Sequence, residues 1–95
     1  MSGAPAGPSA AGAAVVANPH GIHARPSHAL VTAAARFASR IQLEYQGRRA
    51  DARSILSVMT LGAPVGATVN VRAEGPDADA AVAAMLEILR ATEPR

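Results

Sequence analysis

The run Thr68-Val69-Asn70-Val71-Arg72-Ala73 alternates polar and apolar residues without a break, and no other feature constrains the fold as strongly. A period of two places every second side chain on the same face of a strand, so this segment has one dry face and one wet face. Ile41-Gln42-Leu43-Glu44-Tyr45 repeats the pattern. It is followed by Gln46-Gly47, a turn pair that returns Arg48 to Ala52 as a hairpin partner. Val15-Val16-Ala17, closed by Asn18-Pro19, supplies a short first strand. A sheet with a single dry face needs a covering layer, and the rest of the chain provides it.

Leu30, Ala33, Ala34 and Phe37 recur at helical spacing between Arg25 and about Ser39, with Thr32 and Arg36 on the opposite side. Ser54 is a favoured N-cap for a short helix through Leu61, which Gly62 ends in the left-handed conformation and Pro64 keeps stopped. Val82, Met85, Leu86 and Leu89 form the stripe of a last helix. Asp77 is expected to cap that helix, with Asp79 in its first turn and Arg90 at its end matching the macrodipole. The order strand, helix, strand, strand, helix, strand, helix predicts an α+β sandwich with helices on one face of an antiparallel sheet. A ferredoxin-like ligand-binding module begins with the same order, and hydropathy does not say how the strands are threaded.

Ninety-five residues allow one domain, which this reading places at 15–95. Ser2 to Ala14 contains only Ser, Gly, Ala and Pro, so 1–14 is expected to be a flexible tail with nothing to bury. No segment is long and apolar enough to span a bilayer and no secretory signal pattern is present, which argues a cytoplasmic protein without membrane insertion. The net charge is +2 and every cation is Arg. These arginines are dispersed, and a single Tyr and a single Phe give no stacking platform, so nucleic-acid binding has no support. A positive face near Arg25 and Arg53 suits an acidic protein partner. His20, His23 and His28 lie close together, but with no Cys in the chain and no carboxylate before Glu44 a metal site is not expected.

The chemistry concentrates in Gly21-Ile22-His23-Ala24-Arg25-Pro26. Pro26 fits the first turn of a helix, where its missing N–H costs nothing, so His23 stands at the helix mouth with the backbone N–H groups of Ala24 and Arg25 unpaired. Those donors, the helix dipole and the Arg25 guanidinium make a basket for a tetrahedral oxyanion on or beside the imidazole. A neutral ring there carries a lone pair able to attack phosphorus. Ser27 and His28 do not form a hydrolase pair, because adjacent helical residues do not face each other and no acid is placed to orient the ring.

Three blocks together resemble the HPr family, the histidine-containing phosphocarriers of the bacterial phosphoenolpyruvate-dependent sugar phosphotransferase system. They are Gly21 to Pro26, then Leu43-Glu44-Tyr45-Gln46-Gly47 leading to Arg53-Ser54-Ile55-Leu56-Ser57-Val58-Met59-Thr60-Leu61-Gly62, and Ala73-Glu74-Gly75. The resemblance covers Val15 to about Arg90 and implies an open-faced β-sandwich, a four-stranded antiparallel sheet with three helices on one face (βαββαβα). It implies no cofactor and a carrier, not an enzyme: His23 takes a phosphoryl group through Nδ1 from Enzyme I and passes it to Enzyme IIA-type sugar-permease components, with Arg25 stabilising the group. For that traffic His23 has to be exposed. By the same resemblance Ser54 is a regulatory phosphorylation site for an HPr kinase/phosphorylase, and Ile55, Leu56 and Met59 form the docking patch, while Val58 reads as core. The carrier is expected to be monomeric. A regulatory HPr-like protein, signalling nitrogen or carbon status without feeding a transporter, is the alternative. His20 departs from the family, which commonly has a small polar residue there.

Overall fold

The structure, a computed structural model, describes residues 8–92. Seven elements follow one another as β1 (Ser9–Val15), α1 (Ala24–Ala34), β2 (Arg40–Tyr45), β3 (Arg48–Asp51), α2 (Ile55–Thr60), β4 (Thr68–Glu74) and α3 (Ala78–Arg90). The strands form one antiparallel sheet in the order β1-β4-β2-β3. Alternation in β4 works as the sequence requires: Val69, Val71 and Ala73 are buried beneath the helices, and Thr68, Asn70, Arg72 and Glu74 face water. The β2–β3 hairpin turns through Gln46 and Gly47, both at positive φ (51° and 79°), the geometry that matches the twist of the flanking strands.

The first strand corrects the expected tail. Residues 9–14 are not free but run along β4, from Ser9 opposite Glu74 to Val15 opposite Thr68. Their small side chains are the reason they fit. A Cβ on Gly12 would stand 2.9 Å from Cδ1 of Leu86 and 3.2 Å from Cγ1 of Val82, so α3 fills the space that the strand leaves open. The bulk that holds β1 down is carried about seventy residues away. Residues 1–7, the rest of the expected tail, lie outside the described residues. Val16 and Ala17, expected in the strand, follow it; Val16 is buried and bonds the α2–β4 connection through Ala67 O (2.8 Å) and Gly66 N (2.9 Å).

Two other details differ from expectation. Helix α1 ends at Ala34 rather than near Ser39, closing in a turn in which Arg36 N and Phe37 N donate to the carbonyls of Ala33 and Ala34. Asp77 occupies the N-cap position of α3 but its side chain makes no capping bond there. Its carboxylate instead accepts from the N–H groups of Ala38 and Ser39, each at 2.9 Å, the backbone donors that the end of the α1 turn leaves over. The core joins both layers: Leu30 from α1, Leu43 from β2, Val58 from α2, Val69 from β4 and Met85 from α3 are all completely buried.

Candidate functional site

His23 is the N-cap of α1, in extended backbone (φ −109°, ψ −160°), and its side chain makes no capping bond. Ser27 N–H closes the first helical turn onto the His23 carbonyl at 3.0 Å. Pro26 has no N–H to offer, and no acceptor among the described residues engages the N–H groups of Ala24 and Arg25. An imidazole and two free amides therefore lie at the positive end of an eleven-residue helix whose first turn carries the exposed Arg25. Unpaired N–H groups and a helix dipole are the features that favour an anion at a helix start.

The ring is half-buried rather than fully exposed, which corrects the expectation for His23. One of its nitrogens, Nε2, is enclosed and has no hydrogen-bond partner among the described residues. The exposed His20 ring stands edge-on to it, with centroids 5.6 Å apart.

The loop that presents His23 is tied at several points. Asn18, which is buried, accepts from His20 N–H at 3.0 Å and donates through Nδ2 to the Thr92 carbonyl at 2.9 Å, anchoring the loop to the end of α3. Gly21, at φ +72°, lies so close to the α2–β4 connection that a Cβ would stand 2.7 Å from Ala63 O, and Ile22 N–H donates to that same oxygen at 3.0 Å. Sequence reasoning saw only a turn at Asn18-Pro19 and missed the anchoring. The signal was the asparagine itself, whose side chain both accepts and donates.

Ser54 is the N-cap of α2 and accepts from Ser57 N–H at 3.2 Å, as expected of a capping serine. Of the residues after it, Val58 is buried, whereas Ile55, Leu56 and Met59 are 40 %, 74 % and 43 % exposed. Six residues of helix are too few to bury so many apolar side chains, and the surplus faces solvent. Both Arg25 and Arg53 are exposed. Arg53 turns its guanidinium to the carbonyls of Phe37 (2.6 Å) and Ser39 (3.4 Å), while Arg48 and Arg49 join Leu56 and Thr60 around a depression of about 390 Å³. A larger open groove of about 800 Å³ runs from Ala24 and Arg25 along α1 to Arg36, walled on the far side by Glu87 and Ile88 of α3. No group of three or more potential metal ligands occurs among the described residues. None of their helices is long and apolar enough to cross a membrane.

The described residues thus set an imidazole at a helix mouth on a four-stranded antiparallel sheet covered on one face. The chain matches the family described as "PTS HPr component phosphorylation site" over residues 11–91, and it belongs to that family of phosphotransferase-system carriers. Solved structures agree. The phosphocarrier protein HPr of Bacillus anthracis is 30% identical, with a TM-score of 0.81 over 85% of this chain and 96% of its own. HPr-C-His of Thermoanaerobacter tengcongensis is 31% identical, with a TM-score of 0.82 over 87% of this chain and 93% of its own. The Bacillus subtilis catabolite repression protein Crh, a domain-swapped dimer in its crystal, is 30% identical, with a TM-score of 0.70 over 81% and 88% of the two chains. The sheet order β1-β4-β2-β3, with the elements in βαββαβα order, matches the HPr fold.

Proposed function

We propose that this chain carries a phosphoryl group on His23, taking it from a phosphohistidine of Enzyme I and delivering it to Enzyme IIA-type components of sugar uptake. The observation that carries the reading is the helix mouth: His23 at the N-cap with unengaged N–H groups at Ala24 and Arg25. Because Nε2 is enclosed, Nδ1 is the nitrogen assigned to the phosphoryl group. Its lone pair bonds phosphorus as the donor's N–P bond breaks, the electron pair returns to the donor imidazole, and the His23 proton stays on Nε2. The reaction reverses in form at the acceptor. Such a transfer needs in-line positioning and charge stabilisation more than covalent help, and Arg25 with the two amides supplies the latter. Partners dock over Ile55, Leu56 and Met59, whose exposed apolar surface beside Arg48 and Arg49 suits a small transient interface with an acidic protein.

Ser54 is the regulatory site of this reading. A phosphate there gains from the start of α2 but places about −2 charge on the docking face, opposing an acidic Enzyme I. The accessible cap and the likeness to Crh favour one second reading, a regulator that signals through His23 or Ser54 without feeding a transporter.

The test is incubation with phosphoenolpyruvate and active Enzyme I. An acid-labile phosphate that is lost in His23→Ala supports the carrier, and no labelling of the native chain rejects it. Onward transfer to an Enzyme IIA protein separates transport from regulation: a labelled chain that passes nothing on, yet captures a transcription factor or kinase, is the regulator.

A further inference from the structure

Two buried side-chain polar atoms lack a hydrogen-bond partner among the described residues, Nε2 of His23 and Oγ of Ser27, and both sit at the start of α1. Ser27 is completely buried. Buried polar atoms are nearly always paired, so two orphans at one helix start call for a common explanation. His23 is the residue just before the helix and Ser27 N–H closes the first turn onto the His23 carbonyl at 3.0 Å, so the two residues are neighbours at the helix start. Their chemistry is complementary: a neutral imidazole with a free Nδ1 carries its hydrogen on Nε2 and needs an acceptor, and a serine hydroxyl is one.

We propose that Ser27 is a positioning residue for His23, its hydroxyl accepting the Nε2–H and so holding the ring in the tautomer that leaves the Nδ1 lone pair free. The bond requires a change of side-chain torsion from the arrangement in which both atoms are unpaired. The serine O–H then turns to the His23 carbonyl one turn back, the bond that helical serines commonly make and the same oxygen that Ser27 N–H already meets at 3.0 Å. This deepens the phosphohistidine reading and rests on it, because it concerns which nitrogen is available to phosphorus. Ser27 touches no reacting atom; it acts through the ring.

The experiment reads the tautomer directly, from the ¹⁵N shifts and couplings of the His23 ring in the neutral form, in the native chain, Ser27→Ala and Ser27→Thr. The rate of phosphorylation by phosphoenolpyruvate and Enzyme I is measured on the same samples. The native ring is expected mainly as Nε2–H. Ser27→Ala lowers the ratio of Nε2–H to Nδ1–H about fivefold, the effect one neutral hydrogen bond supports, and slows phosphorylation in parallel. Ser27→Thr, which keeps the hydroxyl, retains the native ratio. Alanine suits a helix; should that variant still fail to fold, Ser27→Cys, a much weaker acceptor, replaces it. A tautomer ratio unmoved in Ser27→Ala overturns the proposal, even if phosphorylation slows. The tautomer measurement needs no phosphoryl donor, so a native chain that Enzyme I does not label rejects the carrier reading while the ratio still decides the role of Ser27.

Discussion

Ser39 and Asp77, thirty-eight residues apart, are joined by three hydrogen bonds: Ser39 N–H and Oγ–H both donate to Oδ1 of Asp77, and Asp77 N–H donates to the Ser39 hydroxyl oxygen. The Ser39 hydroxyl first, and then the Ala38 N–H, hold the Asp77 carboxyl below its ordinary range. A carboxyl that binds its proton more weakly folded than unfolded contributes stability above the ordinary Asp value of about 3.9 and loses it as pH falls through and below that value. Asp77→Asn is therefore expected to melt a few degrees below the native chain at neutral pH. The gap should narrow as the buffer is taken from pH 6 toward pH 3. Thermal melts across that range check it, and a gap independent of pH would mean the carboxylate charge is not what the clamp uses.

Gly21→Ala is expected to weaken both the fold and the site. A methyl group at φ +72°, 2.7 Å from Ala63 O, has to push the His23 loop away from the α2–β4 connection. The cost is about 1–3 kcal/mol from backbone strain, before any loss of the Ile22–Ala63 bond. Denaturant titration reads the stability, and labelling by Enzyme I at a temperature where the variant is folded reads the site. Native stability in Gly21→Ala would contradict the close approach.

How far the sequence alone reaches depends on where the information is held. The strands β2 and β4 were legible because their own side chains alternate, and the capping by Ser54 because a serine before a short apolar helix carries its reason with it. The strand β1 was not: Gly12 and its alanine neighbours say nothing until Val82 and Leu86 are laid over them. Asp77 misled for the opposite reason. It has the right type and place for an N-cap, yet the backbone donors of Ala38 and Ser39, brought near by the sheet, compete successfully for its carboxylate. At the site, His23, Ala24, Arg25 and Pro26 announced a helix mouth through local rules. The half-burial of the ring, the anchoring by Asn18 and the redirected Arg53 are tertiary, and no local pattern encodes them.

Arg25→Ala should separate chemistry from folding. The side chain is exposed and makes no hydrogen bond among the described residues, so unfolding free energy is expected to change by no more than about 0.5 kcal/mol. Phosphoryl transfer from Enzyme I should slow about 10- to 100-fold, the scale of losing one aimed donor to a transferring anionic group. Arg25→Lys should recover only part of the rate, since an ammonium does not reproduce the planar fork. Rapid-quench measurement of transfer decides it; an undiminished rate in Arg25→Ala would leave the two backbone amides as the whole of the stabilisation.

Leu56 offers a clean test of the docking patch because it is 74 % exposed and contributes little to the core. Leu56→Ala is expected to leave the melting temperature within a degree or two and to raise the KM for this chain as substrate of Enzyme I about tenfold, with little change in kcat. That pattern follows if the side chain supplies binding that is equal in the ground and transition states. Val58→Ala, by contrast, removes part of a completely buried side chain and should destabilise the fold by about 1–3 kcal/mol. A Leu56→Ala variant with unchanged KM for Enzyme I would move the contact surface elsewhere, with the groove between α1 and α3 as the next face to probe.

Ser54 caps α2, and substitution can pull that role apart from the regulatory one proposed for it. Its side chain accepts from Ser57 N–H, so Ser54→Ala should cost about 0.5–2 kcal/mol of stability while leaving the docking face uncharged. Ser54→Asp keeps an acceptor at the cap and adds a negative charge that the start of α2 tolerates, so its stability should stay near the native value. The two variants should therefore rank in opposite orders in two assays. In denaturant, aspartate outlasts alanine; in labelling by an acidic Enzyme I, alanine outperforms aspartate, and the aspartate deficit should shrink as salt is raised because it is a matter of charge. If aspartate and alanine are labelled equally well at low salt, a charge at position 54 does not reach the partner, and phosphorylation of this serine would have to act by some route other than repulsion at the docking face.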